Sequence, residues 1–262
     1  MYRMSLLLLS THCMAVPAAL AVTPVAISFA EQPVRLLRDK SFYLTGRGAQ
    51  LQNGDIVESG SGSIQINGGG SATLALGPAS RLHVRIAARG TDYLLLEGWL
   101  KIQARAASDG ASVSVSSPGT RIDLAASSVI LHASSGNTGL FVESGQPAVE
   151  ELRAGKAPRR AAVGREQYAV AGAGQPLKVM PRAPREFLGA MPPAFFDALV
   201  PVAAKGAAVA PKLERAATFA DIAPWLAHHP ELRQTIYRRF HPPKPAPAAP
   251  RRPTPTIAKD PS

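Results

Sequence analysis

SATLALGPASRLHVRI, residues 71–86, is two strand patterns joined by a turn. Ala72, Leu74 and Leu76 recur at every second position, and so do Leu82, Val84 and Ile86. That spacing sends apolar side chains to one face of a strand. Gly77-Pro78 separates the two runs, as a turn between strands requires. The same rhythm extends outward through LQNGDIVESG (51–60), LLLEGWLKI (94–102), SSPGTRIDL (116–124) and LFVESGQ (140–146). Further turn signals fall at Asn53-Gly54, Gly68-Gly69-Gly70, Pro118-Gly119 and Gly145. Short strands broken at intervals of roughly 8 to 12 residues predict a mainly β domain, a sandwich, a barrel or a solenoid, with the sandwich and the solenoid preferred.

Other strand candidates are Val34–Leu37, Phe42–Leu44, Asp55–Glu58, Ser63–Asn67, Ser112–Ser116, Ile122–Leu124, Val129–His132, Leu140–Glu143 and Gln167–Val170. After Pro181 the period changes. Residues 186–191 and 194–200 suit short helices, with Pro184 and Pro193 near their starts, where proline is tolerated. Thr218-Phe219-Ala220-Asp221 has capping-box spacing and should open a helix carrying Ile222, Trp225 and Leu226. His229-Pro230-Glu231 restarts the chain as a helix with Leu232, Ile236 and Phe240 on one face. The expected organisation is an export signal (1–21), a β domain (22–180), a short helical region (181–240) and a disordered, basic, Pro/Ala-rich tail (241–262).

Met4 to Ala21 is apolar, follows Arg3 and ends in Ala19-Leu20-Ala21, the pattern of a secretory signal. Cleavage after Ala21 is expected, Ser28-Phe29-Ala30 offers a second cut, and an uncleaved membrane anchor is the alternative. The expected location is the periplasm or the exterior. The single cysteine, Cys13, lies within that segment, so a mature chain would hold no disulfide, Cys-ligated metal or Cys nucleophile.

No HExxH, HxH, GxSxG or P-loop occurs, and neither Gly60-Ser61-Gly62 nor Gly68-Gly69-Gly70 leads into a phosphate-binding helix. We expect no catalytic residues, no cofactor and no metal. Asp55 reads as a turn stabiliser. His83 should point to the outer face of its strand, His132 should end one, and adjacent His228-His229 would diverge on a helix rather than share an ion. Trp99 should pack on the β core, and Trp225 should pin the helical region to the β domain. Charge is asymmetric: residues 31–150 carry 10 basic and 10 acidic side chains, residues 151–262 carry 18 and 8. Arg159, Arg160, Arg238, Arg239, Arg251 and Arg252 are paired in sequence and are the candidate contacts to an anionic partner, with Lys244 and Lys259 extending the series. For an exported chain that partner would be anionic envelope polymer or lipid. The lack of interleaved aromatics argues against nucleic acid.

In order, these phrases resemble the FecR family of periplasmic sensor domains. Leu51-Gln52-Asn53-Gly54-Asp55-Ile56-Val57 matches its L-x-x-G-D-x-[IV]; Gly70 to Leu74 and Pro78 to Leu82 are similar to its G-S-x-x-L and P-x-S-x-L strands. Leu95 to Leu100, Ser117 to Thr120 and Val142 to Gly145 follow as L-x-x-G-x-L, a P-x-G-T-like opening and V-x-x-G. The resemblance spans residues 34–152 and implies an all-β domain that binds or relays rather than catalyses. Full-length members place a cytoplasmic anti-sigma segment and a membrane helix before this domain and relay an iron-siderophore signal. Here three residues precede the apolar segment, so direct transcriptional signalling is not expected. Arg121 also stands where that family's strand carries an apolar residue. The expected function is an exported, non-catalytic module that binds an envelope protein or senses a ligand. A basic surface-binding protein, and a hydrolase or lyase on a β-solenoid, are the alternatives.

Overall fold

The computed structural model describes residues 24–68, 71–88, 90–106, 112–152, 157–172, 175–202 and 208–242. The expected export signal lies outside the described residues, and so does the expected tail from residue 243 on, including Arg251 and Arg252. The strands are β1 (Val25–Ala30), β2 (Val34–Arg38), β3 (Ser41–Thr45), β4 (Ile56–Glu58), β5 (Ile64–Gly68), β6 (Ala72–Leu76), β7 (Arg81–Ala87), β8 (Gly90–Ala104) and β9 (Ser112–Ser117). Then come β10 (Thr120–Asp123), β11 (Ser128–Ser134), β12 (Asn137–Ser144), β13 (Ala148–Glu151), β14 (Arg159–Ala162), β15 (Tyr168–Gly172), β16 (Gln175–Met180) and β17 (Lys212–Ala216). Among the described residues the α-helices are α1 (Arg185–Ala190), before β17, and α2 (Phe219–Ile222) and α3 (Pro230–Phe240), after it, with 3-10 turns at Pro193–Phe195 and Ala223–Leu226.

Hydrogen bonding divides the strands into two ladders. The first runs β1-β5-β6-β8-β11-β12-β15-β16. The second runs β17-β3-β2-β4-β7-β8-β9-β10-β13-β14. Among the described residues every strand pair is antiparallel except β8 with β9. The ladders face each other across one core: Ile27, Ile66, Leu74, Leu100, Ile102, Leu131 and Val142 from the first meet Val34, Leu36, Val57, Leu82, Val84, Leu95, Val115 and Ile122 from the second. Inside that core the Tyr93 hydroxyl donates to the Gly68 carbonyl at 2.7 Å, tying one sheet to the other. Of the architectures left open by the sequence, the sandwich is the one observed.

β8 belongs to both sheets. Its first half pairs with β7 and its second with β6 and β11. A bulge sits at the junction, where Arg81 pairs with Glu97 and its neighbour Leu82 with Leu95. Accordingly Tyr93 and Leu95 point into the core before the junction, and Leu100, Ile102 and Ala104 after it. Gly98 lies at the junction with φ +89°, and an added Cβ would come 2.6 Å from the Ser80 Cα. Ser80 Oγ occupies that space and accepts the Trp99 amide at 2.8 Å.

The chain beyond residue 180 covers both outer faces. On the first sheet Phe187, Met191 and Phe195 pack over Ala75, Trp99, Ile130 and Tyr168. Trp99 stacks on its cross-strand neighbour His132 at 4.1 Å and meets Phe187 at 5.1 Å. It therefore packs on the β domain as expected, but on the outer face. His132 lies within β11 rather than at its end. Residues 194–200, expected to be helical, form only the short 3-10 turn. The reason is Lys101, which the β8 alternation turns outward beneath them. Its ammonium donates to the carbonyls of Phe195 and Asp197, both at 2.7 Å, and to Glu143 Oε1 at 2.8 Å. The Phe195 carbonyl is thus turned to a side chain rather than to the Leu199 amide, and the Asp197 carbonyl gains a donor that Pro201, having no N–H, would not supply along a helix. Glu143 is held in turn by the Ser128 hydroxyl at 2.7 Å.

The chain then adds β17 beside β3 and lays α2 and α3 on the outer face of the second sheet. There Ile222, Leu226 and Ile236 cover Leu37, Phe42, Ile56, Leu94 and Leu96. The Thr218 capping box forms as expected, with the Thr218 amide donating to Asp221 Oδ2 at 2.7 Å. Trp225 does pin this region: its ring meets Phe42 edge-on at 5.8 Å and carries the Arg81 guanidinium at 4.8 Å. We call residues 218–241 the cap.

Substitution tests both the junction and the buried lysine. Gly98→Ala forces a Cβ into Ser80 at a backbone angle that side chains disfavour, and should cost about 3 kcal/mol or more in chemical denaturation. Lys101→Met strands two carbonyls and one carboxylate, and should lower stability by about 2–4 kcal/mol. It should also raise hydrogen exchange in residues 193–200 while the sandwich strands stay protected.

Candidate functional site

The four candidate arginines that are described do not form one site. Arg159 and Arg160 lie on β14, the last strand of the second sheet, and are exposed. Arg160 is engaged: its Nε and Nη2 donate to Glu150 Oε2 on the neighbouring strand at 3.2 and 3.0 Å. Arg238 and Arg239 end α3, where positive charge is favoured by the helix dipole. Arg238 is exposed, whereas Arg239 is half-buried and its Nη2 lies over the Asn53-Gly54 turn, 3.3 Å from where a Gly54 Cβ would stand. β8, beneath the cap, stands four ladder steps from β14, roughly 19 Å at about 4.8 Å per step.

The cap presents a shallow cleft, wide open to solvent, of about 580 Å³, lined by Ala217, Thr218, Phe219, Ala220, Tyr237, Phe240 and His241. It arises where the capping-box turn meets the last turn of α3. Phe219 meets Tyr237 edge-on at 5.1 Å, and Tyr237 stacks on His241 at 4.3 Å. The lining holds aromatic faces and two methyl-sized walls but no carboxylate, and the Thr218 hydroxyl is committed to Asp221 Oδ2 at 2.8 Å. Such a surface can grip apolar or proline-bearing peptide side chains. It lacks a paired acid and base.

Elsewhere on the second sheet several charged groups are engaged with one another. Asp55, 1% exposed, accepts Arg38 Nε and Nη2 at 2.9 and 2.7 Å and the Gln52 amide at 2.7 Å. The turn role read from the sequence is there, and the Arg38 pair is an addition. Arg81 bridges Glu58 and Glu97, and Arg35 bridges Glu58 and Glu214. Its hydrogen bonds to Arg35 hold the Glu214 carboxyl below its usual value. Among the described residues no three His, Cys, Asp or Glu side chains gather where they could hold a metal ion. His83 does face outward from β7, as expected, but is covered by the cap and only 4% exposed. His229 forms the N-terminal boundary of α3 and is also buried, while His228 lies against Gly136.

Sequence reasoning missed Lys101, the Arg38–Asp55 pair and the covered histidines. The alternating β8 pattern did mark Lys101 as outward. Nothing in that pattern marked the outer face as covered.

The phrases that carry the family resemblance fall on strand junctions. Their glycines take positive φ at Gly54 (+92°), Gly98 (+89°), Gly119 (+77°) and Gly145 (+81°). No family model matches the chain. No curated protein matches it either. Two solved structures of "a putative anti-sigma factor" from Parabacteroides distasonis ATCC 8503 are similar in part, each at 9% identity. One covers 47% of this chain and 57% of its own with a TM-score of 0.39. The other covers 57% and 60% with a TM-score of 0.32. The chain thus spans less than two thirds of either.

Proposed function

We propose that this chain is an exported, non-catalytic FecR-like module of the cell envelope that works by binding protein. The observation that carries this reading is the aromatic cleft of Phe219, Tyr237, Phe240 and His241. It offers ring faces to a peptide and no acid-base pair to a reacting bond. The ordered strand-and-turn phrases between Leu51 and Gly145 support the family side of the reading. The apolar segment ending at Ala21 supports export. β1 bears on the cut: Ile27 is fully buried and β1 pairs with β5, so cleavage after Ala30 would remove a strand of the first sheet, whereas cleavage after Ala21 spares it.

A second reading, attachment to anionic envelope polymer or lipid, is favoured by the basic excess of residues 151–262 and by the exposure of Arg159 and Arg238. Dispersal of those groups over the second sheet and the cap suits weak, salt-sensitive attraction rather than a shaped site.

A photoreactive side chain at position 237 of the full exported chain separates the two. We expect a discrete protein adduct in the envelope that the same probe at position 160 does not give, and that Phe219→Ala reduces roughly tenfold. Identical adducts at both positions, together with cosedimentation with purified peptidoglycan or anionic vesicles at low salt, would instead establish the surface-binding reading. Loss of that cosedimentation on removal of residues 241–262 would place the attachment in the tail.

A further inference from the structure

We propose that the cap over the second sheet is an acid-released element, held down by the neutral imidazoles of His83 and His229 and freed when both take up protons. The inference goes beyond the binding reading and does not depend on the partner.

Its basis is the interface between cap and sheet. His83 projects from the outer face of β7 between Ile56 of β4 and Leu94 of β8, its cross-strand neighbours, both in the apolar layer that Ile236 and Leu226 cover. Its Nδ1 is buried and has no hydrogen-bond partner among the described residues. A neutral ring tolerates that as an acceptor left empty. A protonated ring would have to bury an N–H and a charge there. The charged groups facing it are Arg85 and Asp92 from the β7–β8 hairpin, Arg239 from α3 and His229 from the start of α3. Arg85 and Asp92 are paired with each other, which leaves Arg239 as the near cation from the cap side. His229, 8% exposed, donates from Nε2 to the Leu96 carbonyl at 3.5 Å and faces His228. Two imidazoles, one on the sheet and one on the cap, thus share an apolar interface with an arginine.

Burial, aided by Arg85 and Arg239, pushes the His83 imidazole down from 6.5 to about 4. Burial also lowers His229, against the opposing pull of the Leu96 carbonyl. With the cap released both rings face water and titrate near their ordinary value. Protons therefore bind the released form better. Docking is at full strength above about pH 6.5, weakens as pH falls from there toward 4, and changes little from this source below 4. For His83 alone the docking equilibrium should fall on the order of a hundredfold across that window.

Two carboxylates of the cap and of the strand leading into it hold through that range. Asp221, which accepts from Arg215, the Thr218 amide and the Thr218 hydroxyl, is held well below the usual carboxylate range, chiefly by the Arg215 hydrogen bonds. Glu214, on the strand leading into the cap, is lowered by Arg35. A carboxylate with a depressed value keeps its contribution until pH falls through that lower value. Mild acid thus acts on the two histidines before it reaches these two carboxylates, and release bares Leu37, Phe42, Ile56, Leu94 and Leu96.

Hydrogen exchange of the full chain from pH 7.5 to 4, with labelling times scaled to the intrinsic rate, tests this. Peptides covering 218–241 should lose protection between pH 6.5 and 4 while those covering 93–104 keep theirs. His83→Gln should retain at least about tenfold more cap protection at pH 4.5 than the wild type, and His229→Gln should move cap release to lower pH than in the wild type. The second variant decides the matter where the first does not fold. Cap protection unchanged to pH 4 in the wild type, simultaneous loss in cap and sandwich, or variants that release at the wild-type midpoint would overturn the proposal.

Discussion

At Gly98 the chain leaves one sheet and enters the other without a break, and Ser80 fills the space that a side chain would need. Every layer of the molecule takes its orientation from that junction. Because β8 bulges there, Leu94 and Leu96 face out from the second sheet while Trp99 and Lys101 face out from the first. Each outer face therefore starts with a seed for a covering layer, apolar on one side and aromatic with a buried ammonium on the other. The parallel pairing of β8 with β9 has the same origin: the chain crosses to the first sheet, then returns to lie beside the strand it left.

Beyond residue 180 the chain is a strap rather than a separate helical unit. It crosses the first sheet over Lys101, joins the second sheet as β17 and finishes as the cap. Its short helices would have no stability alone, since helices of fewer than about 12 residues are marginal in water. They form because Phe187, Phe195, Ile222 and Ile236 bury against a preformed sheet. Polar fixings then choose the geometry. Lys101 has each of its three N–H donors matched to an oxygen, which is how a lysine 1% exposed can remain in place.

Much of the sandwich was legible because one-sided strands announce themselves. Val34–Arg38, Ile64–Gly68, Arg81–Ala87 and Ser128–Ser134 lie close to where alternation put them. Leu94-Leu95-Leu96 was less readable, since a strand buried on both faces loses its alternation and a bulge resets it. β14, β16 and β17 were missed for the opposite reason. They are edge strands with largely exposed side chains, formed by pairing to a neighbour rather than by burial. Candidate-site residues fared worse. Paired arginines are visible in a sequence, but which of them meet is a matter of ladder order, and that order puts β14 far from α3. His83 looked like a surface residue because nothing local signals that a helix more than a hundred residues later will cover it.

The cap is also where binding and release would converge. Phe219 and Phe240 pack against the apolar layer in which Ile222, Leu226 and Ile236 hold α2 and α3 to the sheet, and with Tyr237 and His241 they shape the cleft at its border. A partner gripping the ring faces would pull on elements whose attachment depends on an apolar layer and two uncharged imidazoles. Occupancy of the cleft and docking of the cap are then linked through the same short helices. A ligand that needs α2 and α3 in their docked arrangement would favour docking, and the proton would oppose it. The linkage requires no movement within the sandwich, whose strands are fixed by the junction at Gly98 and by the hydrogen bond from Tyr93 to Gly68.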